Sequence, residues 1–166
     1  MSRGFVKEDD QEEIPLVPPR ADLPEGVTNY MTPNGMDQLL KEKQMLHDER
    51  EQLDISNENE KRIAVNYINA KIQLLNVRIS TGKIIDLSAQ PQGEIRFGAW
   101  VTLKVDEASK LEKYQIVGVD EADISKGKIS FISPIAKILI NKRIGDKALL
   151  KLVKTDRVFE IIEINY

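Results

Sequence analysis

Apolar residues recur at helical intervals along the first half of the chain and at intervals of two along the second. From Met36, the residues Leu39, Leu46 and Leu53 follow at spacings of three and seven. That is a heptad seam, with Lys43 and Arg50 at two of its other inward positions. Those two long side chains can lie along the seam and keep their charges in water. A second stripe runs Val65, Ile68, Ile72, Leu75 and Ile79, widened by Ile63, Tyr67 and Leu74. Thr32 is placed to cap the first helix, with Pro33 at a position where its missing N–H costs nothing. Gly82, after Thr81, suits a left-handed C-cap for the second. Between the helices lies the polar stretch EQLDISNENEKR (residues 51–62). The pattern predicts an antiparallel coiled-coil hairpin over residues 29–82, with arms of about 20 residues or roughly 30 Å at 1.5 Å per residue.

Past Gly82 the runs KIIDL, GEIRF, WVTLKV, KYQIVGVD, GKISFI, KALLKLV and VFEIIEI are short, rich in β-branched residues and separated by Gly, Asp, Ser and Lys. They predict a small antiparallel sheet domain over residues 83–166. One short helix, PIAKILIN, opens at Ser133-Pro134. The fold class is α+β. Residues 1–28, with EDDQEE and PLVPPRADLPEG, have the charge and clustered prolines of a disordered tail.

Composition narrows the function classes. At 166 residues and 41% hydrophobic content the chain can bury a core. The absence of cysteine excludes disulfides, thiolate metal sites and a cysteine nucleophile. A net charge of −3 argues against an autonomous nucleic-acid binder. No signal-peptide pattern and no apolar run of membrane-spanning length is present, so the expected location is cytoplasmic.

Little in the chain points to chemistry of its own. No glycine-rich phosphate loop follows a strand, and the single histidine, His47, cannot build a metal site or a triad. Phe97, Trp100, Tyr114 and Phe131 stand at alternate strand positions and read as core. The polar stretch between the helices carries Asp54, Glu58 and Glu60. One reading makes Asn57 the cap of the second helix and Glu60 its capping-box partner. The other lets Asp54 and Glu58 complete a divalent-cation site that a partner half supplies, since Mg²⁺ takes oxygen ligands and commonly borrows some of them. Both stand on spacing alone, with the capping reading ahead.

The segments FGAWV, YQIVGVDEAD, GKIS and SPIAKILINKRIGD, with the opening YMTPNGMDQLLKE, closely resemble the bacterial Gre factors GreA and GreB. The resemblance runs from about residue 29 to residue 166. It implies an FKBP-like domain that binds RNA polymerase and a hairpin that enters the secondary channel. Nucleic acid would be met only within the transcription complex, and the chain would act as a monomer. It also implies an accessory role: tip acids help hold a Mg²⁺ shared with the polymerase, at whose active site backtracked RNA is cut. The protein would have no cofactor of its own and would not itself be an enzyme. In the polymerase-docking loop Ser133, Pro134 and Ala136 match, with Ile132 where a polar residue is expected. The tip pattern of Asp, any residue, Ser, Glu, Asn is matched in two halves, Asp54-Ile55-Ser56 and Glu58-Asn59, with Asn57 between them. The hairpin is also shorter than in the cleavage factors, as in the Gre-related regulator Rnk. The expected function is regulation of paused or backtracked elongation complexes with weak or absent cleavage stimulation. The alternatives are a non-catalytic competitor that blocks the channel and a prolyl isomerase.

Overall fold

The computed structural model of the protein describes residues 14–108 and 110–166. The order of elements is β1 (Tyr30–Met31), α1 (Pro33–Glu51), α2 (Glu58–Thr81), β2 (Lys83–Ile84), β3 (Trp100–Val105), β4 (Leu111–Val117), β5 (Lys128–Ser130), α3 (Pro134–Leu139), β6 (Lys147–Leu150) and β7 (Arg157–Asn165). Both the helices and the sheet read from the sequence are present.

Helix α1 starts where the sequence places it. Thr32 has extended backbone and its hydroxyl accepts from the Gly35 N–H, with Pro33 in the first turn. Helices α1 and α2 run antiparallel around a buried cluster of Met31, Leu39, Leu46, Ile68, Ile72 and Leu75, joined by the half-buried Met36, Leu53 and Ile79. Most of the spaced apolar positions therefore meet in one cluster, while Val65 is not part of it. The residues expected to widen the second stripe divide: Ile63 and Leu74 face solvent, and Tyr67 is half-buried beneath the Lys71 ammonium. Arg50 reaches across to α2, where its guanidinium donates to Asn69 Oδ1 at 2.7 Å. The end of α2 departs from expectation. Gly82 has φ −63° and ψ 128°, so it leaves the helix extended rather than left-handed. The reason is the strand that follows: Lys83 and Ile84 pair in parallel with Tyr30 and Met31, and a left-handed turn would aim the chain elsewhere. A Cβ at position 82 would lie 2.8 Å from Met31 Sδ, so close packing is a second reason for glycine there.

The second domain is a five-stranded sheet in the order β5-β4-β3-β7-β6. All its pairs are antiparallel except β4 with β5, which is parallel and corrects the expectation of a wholly antiparallel sheet. A parallel pair needs a crossover, and residues 118–127 supply it, with a short 3-10 turn at Ile124–Lys126 and Gly127 at φ 68°. GEIRF forms no strand: only Ile95 pairs, through Lys142 and Asn141, and Gly98 at φ 90° turns the chain into β3. Strand β7 carries a bulge opposite Thr102 and Leu103. Inward residues Val101, Leu103, Val105, Ile116, Phe159 and Ile161 build the core with Ala136 and Leu139 of α3. Phe97, Tyr114 and Phe131 pack against it as expected, but Trp100 lies on the opposite face, where Lys113 Nζ sits 5.5 Å from its ring. Among the described residues no helix is long and apolar enough to cross a membrane.

The tail expectation covers residues 1–28, of which 1–13 lie outside the described residues. Residues 14–28 form no helix or strand, and Ile14 and Leu16 are exposed. Arg20, however, is tied into the folded domains and is not solvated tail.

Candidate functional site

The loop Gln52–Asn57 carries the acids singled out at the hairpin tip. Asn57 is the N-cap of α2, and its Oδ1 accepts from the Glu60 N–H at 3.0 Å. Its carbonyl accepts from Lys61 N at 2.9 Å. Glu58 therefore stands in the first helical turn, where its charge suits the helix dipole. Asp54 lies in non-helical loop, so the four-residue spacing does not place both carboxylates on one helical face. Both are exposed. Among the described residues no group of three or more His, Cys, Asp or Glu side chains is placed to hold a metal ion. Two exposed carboxylates on separate elements do not fit a Mg²⁺ site without ligands from elsewhere. Leu53, half-buried against the helix pair, anchors the loop.

Ser133, Pro134 and Ala136 lie together in the turn from β5 into α3. Ser133 caps the helix, its hydroxyl accepting from Ala136 N at 3.3 Å, while its carbonyl accepts from Lys137 N at 3.0 Å. Pro134 is exposed and Ser133 half-buried, so both can meet a partner. Ala136 is fully buried in the core, so its side chain packs the helix and cannot touch a docking protein. Ile132, half-buried, holds the preceding position.

A third group was not singled out from the sequence. The crossover after β4 places Asp120 and Glu121 at the base of the hairpin. Glu121, buried, accepts from Thr32 Oγ1 at 2.5 Å, Asn34 Nδ2 at 2.8 Å and Lys128 Nζ at 2.9 Å. The start of α1 is thereby fixed to the sheet domain by a charge-assisted network in a water-poor site. Asp120 accepts from Arg20 Nε at 2.9 Å. Among the described residues its second oxygen has no hydrogen-bond partner, and the Arg78 guanidinium 3.5 Å away balances its charge without donating. Arg20 also forks onto both oxygens of Glu42, at 2.8 and 3.1 Å, and that pairing raises its pKa above the ordinary arginine value. Asp123 lies in the same crossover, where hydrogen bonding by Ser125 holds its carboxyl below the ordinary range. The sequence signal for this junction was the pair of consecutive acids directly after the apolar exit of β4.

Tyr30 joins the junction from the helical side. Its ring lies 5.8 Å from Phe97 and 5.6 Å from Phe131, which are 5.7 Å from each other. The three rings pack against one another at the junction.

Residues 90–166 match the family model described as transcription elongation factor, GreA/GreB, C-term. This part of the chain is similar to the C-terminal part of the GreA/GreB factors. Curated relatives include the transcription elongation factor GreA of Thioalkalivibrio sulfidiphilus, 42% identical over 101 residues, and that of Alkalilimnicola ehrlichii, 40% identical over the same length. Each match covers 60% of this chain and 64% of the relative, so the chain spans less than two thirds of either. Among solved structures, GreA factor homolog 1 of Thermus thermophilus aligns over 84% of this chain and 100% of its own, at 22% identity and a TM-score of 0.40.

Proposed function

We propose that this protein is a Gre-type regulator of transcription elongation. It binds RNA polymerase through its sheet domain and directs its helical hairpin at the secondary channel. The observation that carries this reading is the family match of residues 90–166, which includes the whole turn bearing Ser133 and Pro134. In that reading the helix pair is a shortened coiled-coil hairpin like that of Rnk. The sheet domain is FKBP-like, and the protein works as a cytoplasmic monomer that meets nucleic acid only inside the transcription complex. Chemistry on RNA belongs to the polymerase. Any Mg²⁺ involved is shared, with Asp54 and Glu58 as the acids offered from this side.

The tip geometry favours the non-catalytic form of this activity, occupation of the channel in competition with other factors. Asp54 belongs to a loop and Glu58 to the first turn of α2, with the capping Asn57 between them. A cation must be met at about 2.0–2.1 Å by each carboxylate it takes, and the two acids share no element that would fix that geometry. The isomerase alternative is not favoured, because Phe97 and Phe131 are packed by Tyr30. The test is a competition experiment on cognate polymerase halted in a backtracked state. The chain should displace a cleavage-active Gre factor and slow the cut. Failure to slow it at saturating concentration would remove the channel reading.

A further inference from the structure

We propose that the segment before β1 is a strap that sets the angle of the hairpin on the sheet domain, with Arg20 as the positioning residue. This goes beyond the polymerase reading and does not depend on it. The argument starts from where the two domains are joined. Glu121 holds Thr32 and Asn34, but both stand at the very start of α1, so this contact by itself acts as a pivot. Glu42 lies ten residues further along the helix, about 15 Å from Thr32 at 1.5 Å per residue. Arg20 joins Glu42 to Asp120 of the crossover, with a two-bond fork on one carboxylate and its Nε on the other. Two fixed points that far apart on one helix remove the freedom a single pivot leaves.

The chemistry gives the direction of the effect. Without Arg20, Glu42 and Asp120 are like charges facing each other across the junction, and among the described residues Arg78 is the one other cation paired with Asp120. Their repulsion pushes α1 away from the sheet domain. The strap is itself secured at this point, because Arg78 of α2 donates to the Ala21 carbonyl. Gly26, at φ 78°, then turns the chain toward β1, beside a bond from Val27 N to Pro24 O at 3.1 Å. Helix α2 has 24 residues and is about 36 Å long, so each 10° of swing at its base carries the tip by about 6 Å. A small change at Arg20 thus becomes a large one at Asp54 and Glu58.

The protein has no cysteine, so a labelled pair can be introduced cleanly. Lys61→Cys near the tip and Lys154→Cys in the sheet domain are both at exposed positions. Spin labels there report the tip-to-domain distance by pulsed electron resonance on the full chain. The otherwise unaltered labelled chain should give one narrow distribution. Arg20→Gln should broaden it and shift its mean by about 5 Å, the movement of a swing of somewhat under 10°, with the helical circular-dichroism signal unchanged. Should Arg20→Gln lose that helical signal, Glu42→Gln cuts the same bridge from α1 and carries the same expectation. A purely stabilising contact would lower the melting temperature and leave the distance as it was. That result, in a folded variant, overturns the proposal.

Discussion

Gly118 stands where a methyl group has no room, because a Cβ there would meet the Tyr30 carbonyl oxygen at 2.5 Å. The obstacle is backbone, so neither side can yield cheaply. Gly118→Ala should cost about 1–3 kcal/mol of stability, the usual range for overpacking, measurable by urea unfolding. Leu75 is fully buried between the helices, and Leu75→Ala should cost about 2–5 kcal/mol through lost burial and the cavity left behind. Tyr114 gives a pH dependence. Burial first, and then its hydrogen bond to Glu112, push its hydroxyl up to about 12 from 10.0. A raised folded pKa means the phenol is held neutral in the fold. Its stabilising effect is complete below pH 10.0 and is lost as pH rises toward about 12. Tyr114→Phe should therefore lose less stability than the unaltered protein between those two values, measured by melting across that interval. Equal losses would show that Tyr114 is not the group responsible. Of these residues Leu75 was marked from the sequence as a position of the second stripe, and Tyr114 as a core aromatic. Nothing in the letters around Gly118 says that another strand's carbonyl lies against it.

At the level of elements the hairpin was legible because its seam repeats: Leu39, Leu46, Ile68, Ile72 and Leu75 all reached the buried cluster. Caps with a side-chain acceptor were legible for a local reason, and Thr32, Asn57 and Ser133 each bond the N–H three residues on. What depended on distant pairing was not. GEIRF alternates like a strand yet finds no strand to pair with, and the parallel β4–β5 pair is a choice of partner that local pattern cannot express. The candidate tip was found in position, and the capping reading of Asn57 placed the start of α2 correctly; the reading that paired Asp54 with Glu58 by spacing did not see that they lie on different elements. The shape of the tip yields a prediction. With Asp54 in loop and Glu58 in helix, the unaltered protein and Asp54→Asn/Glu58→Gln should give the same rate of transcript cleavage on a backtracked complex. Strong Mg²⁺-dependent cleavage lost in the double variant would restore a catalytic tip.

Across the whole molecule, two domains meet at a junction where buried and half-buried charges from the strap, both helices and the crossover converge. The junction was hidden from sequence reading because its members, Arg20, Thr32, Glu42, Arg78, Asp120 and Glu121, are scattered over 102 positions and share no period. It joins a sheet domain similar to the C-terminal part of the GreA/GreB factors to a helix pair that, on the proposal above, acts as a lever. In this account the sheet domain holds the polymerase and the lever is only directed by it, so binding must depend on the turn before α3. The most direct measurement is the affinity of the full chain for cognate core RNA polymerase, with Ser133→Glu compared against the unaltered protein. Glutamate there places a charge at the proposed contact and, on this account, weakens binding by at least about tenfold, equivalent to roughly 1.4 kcal/mol. Absence of binding by the unaltered chain, or equal affinity for both proteins with Ser133→Glu still folded, would contradict it.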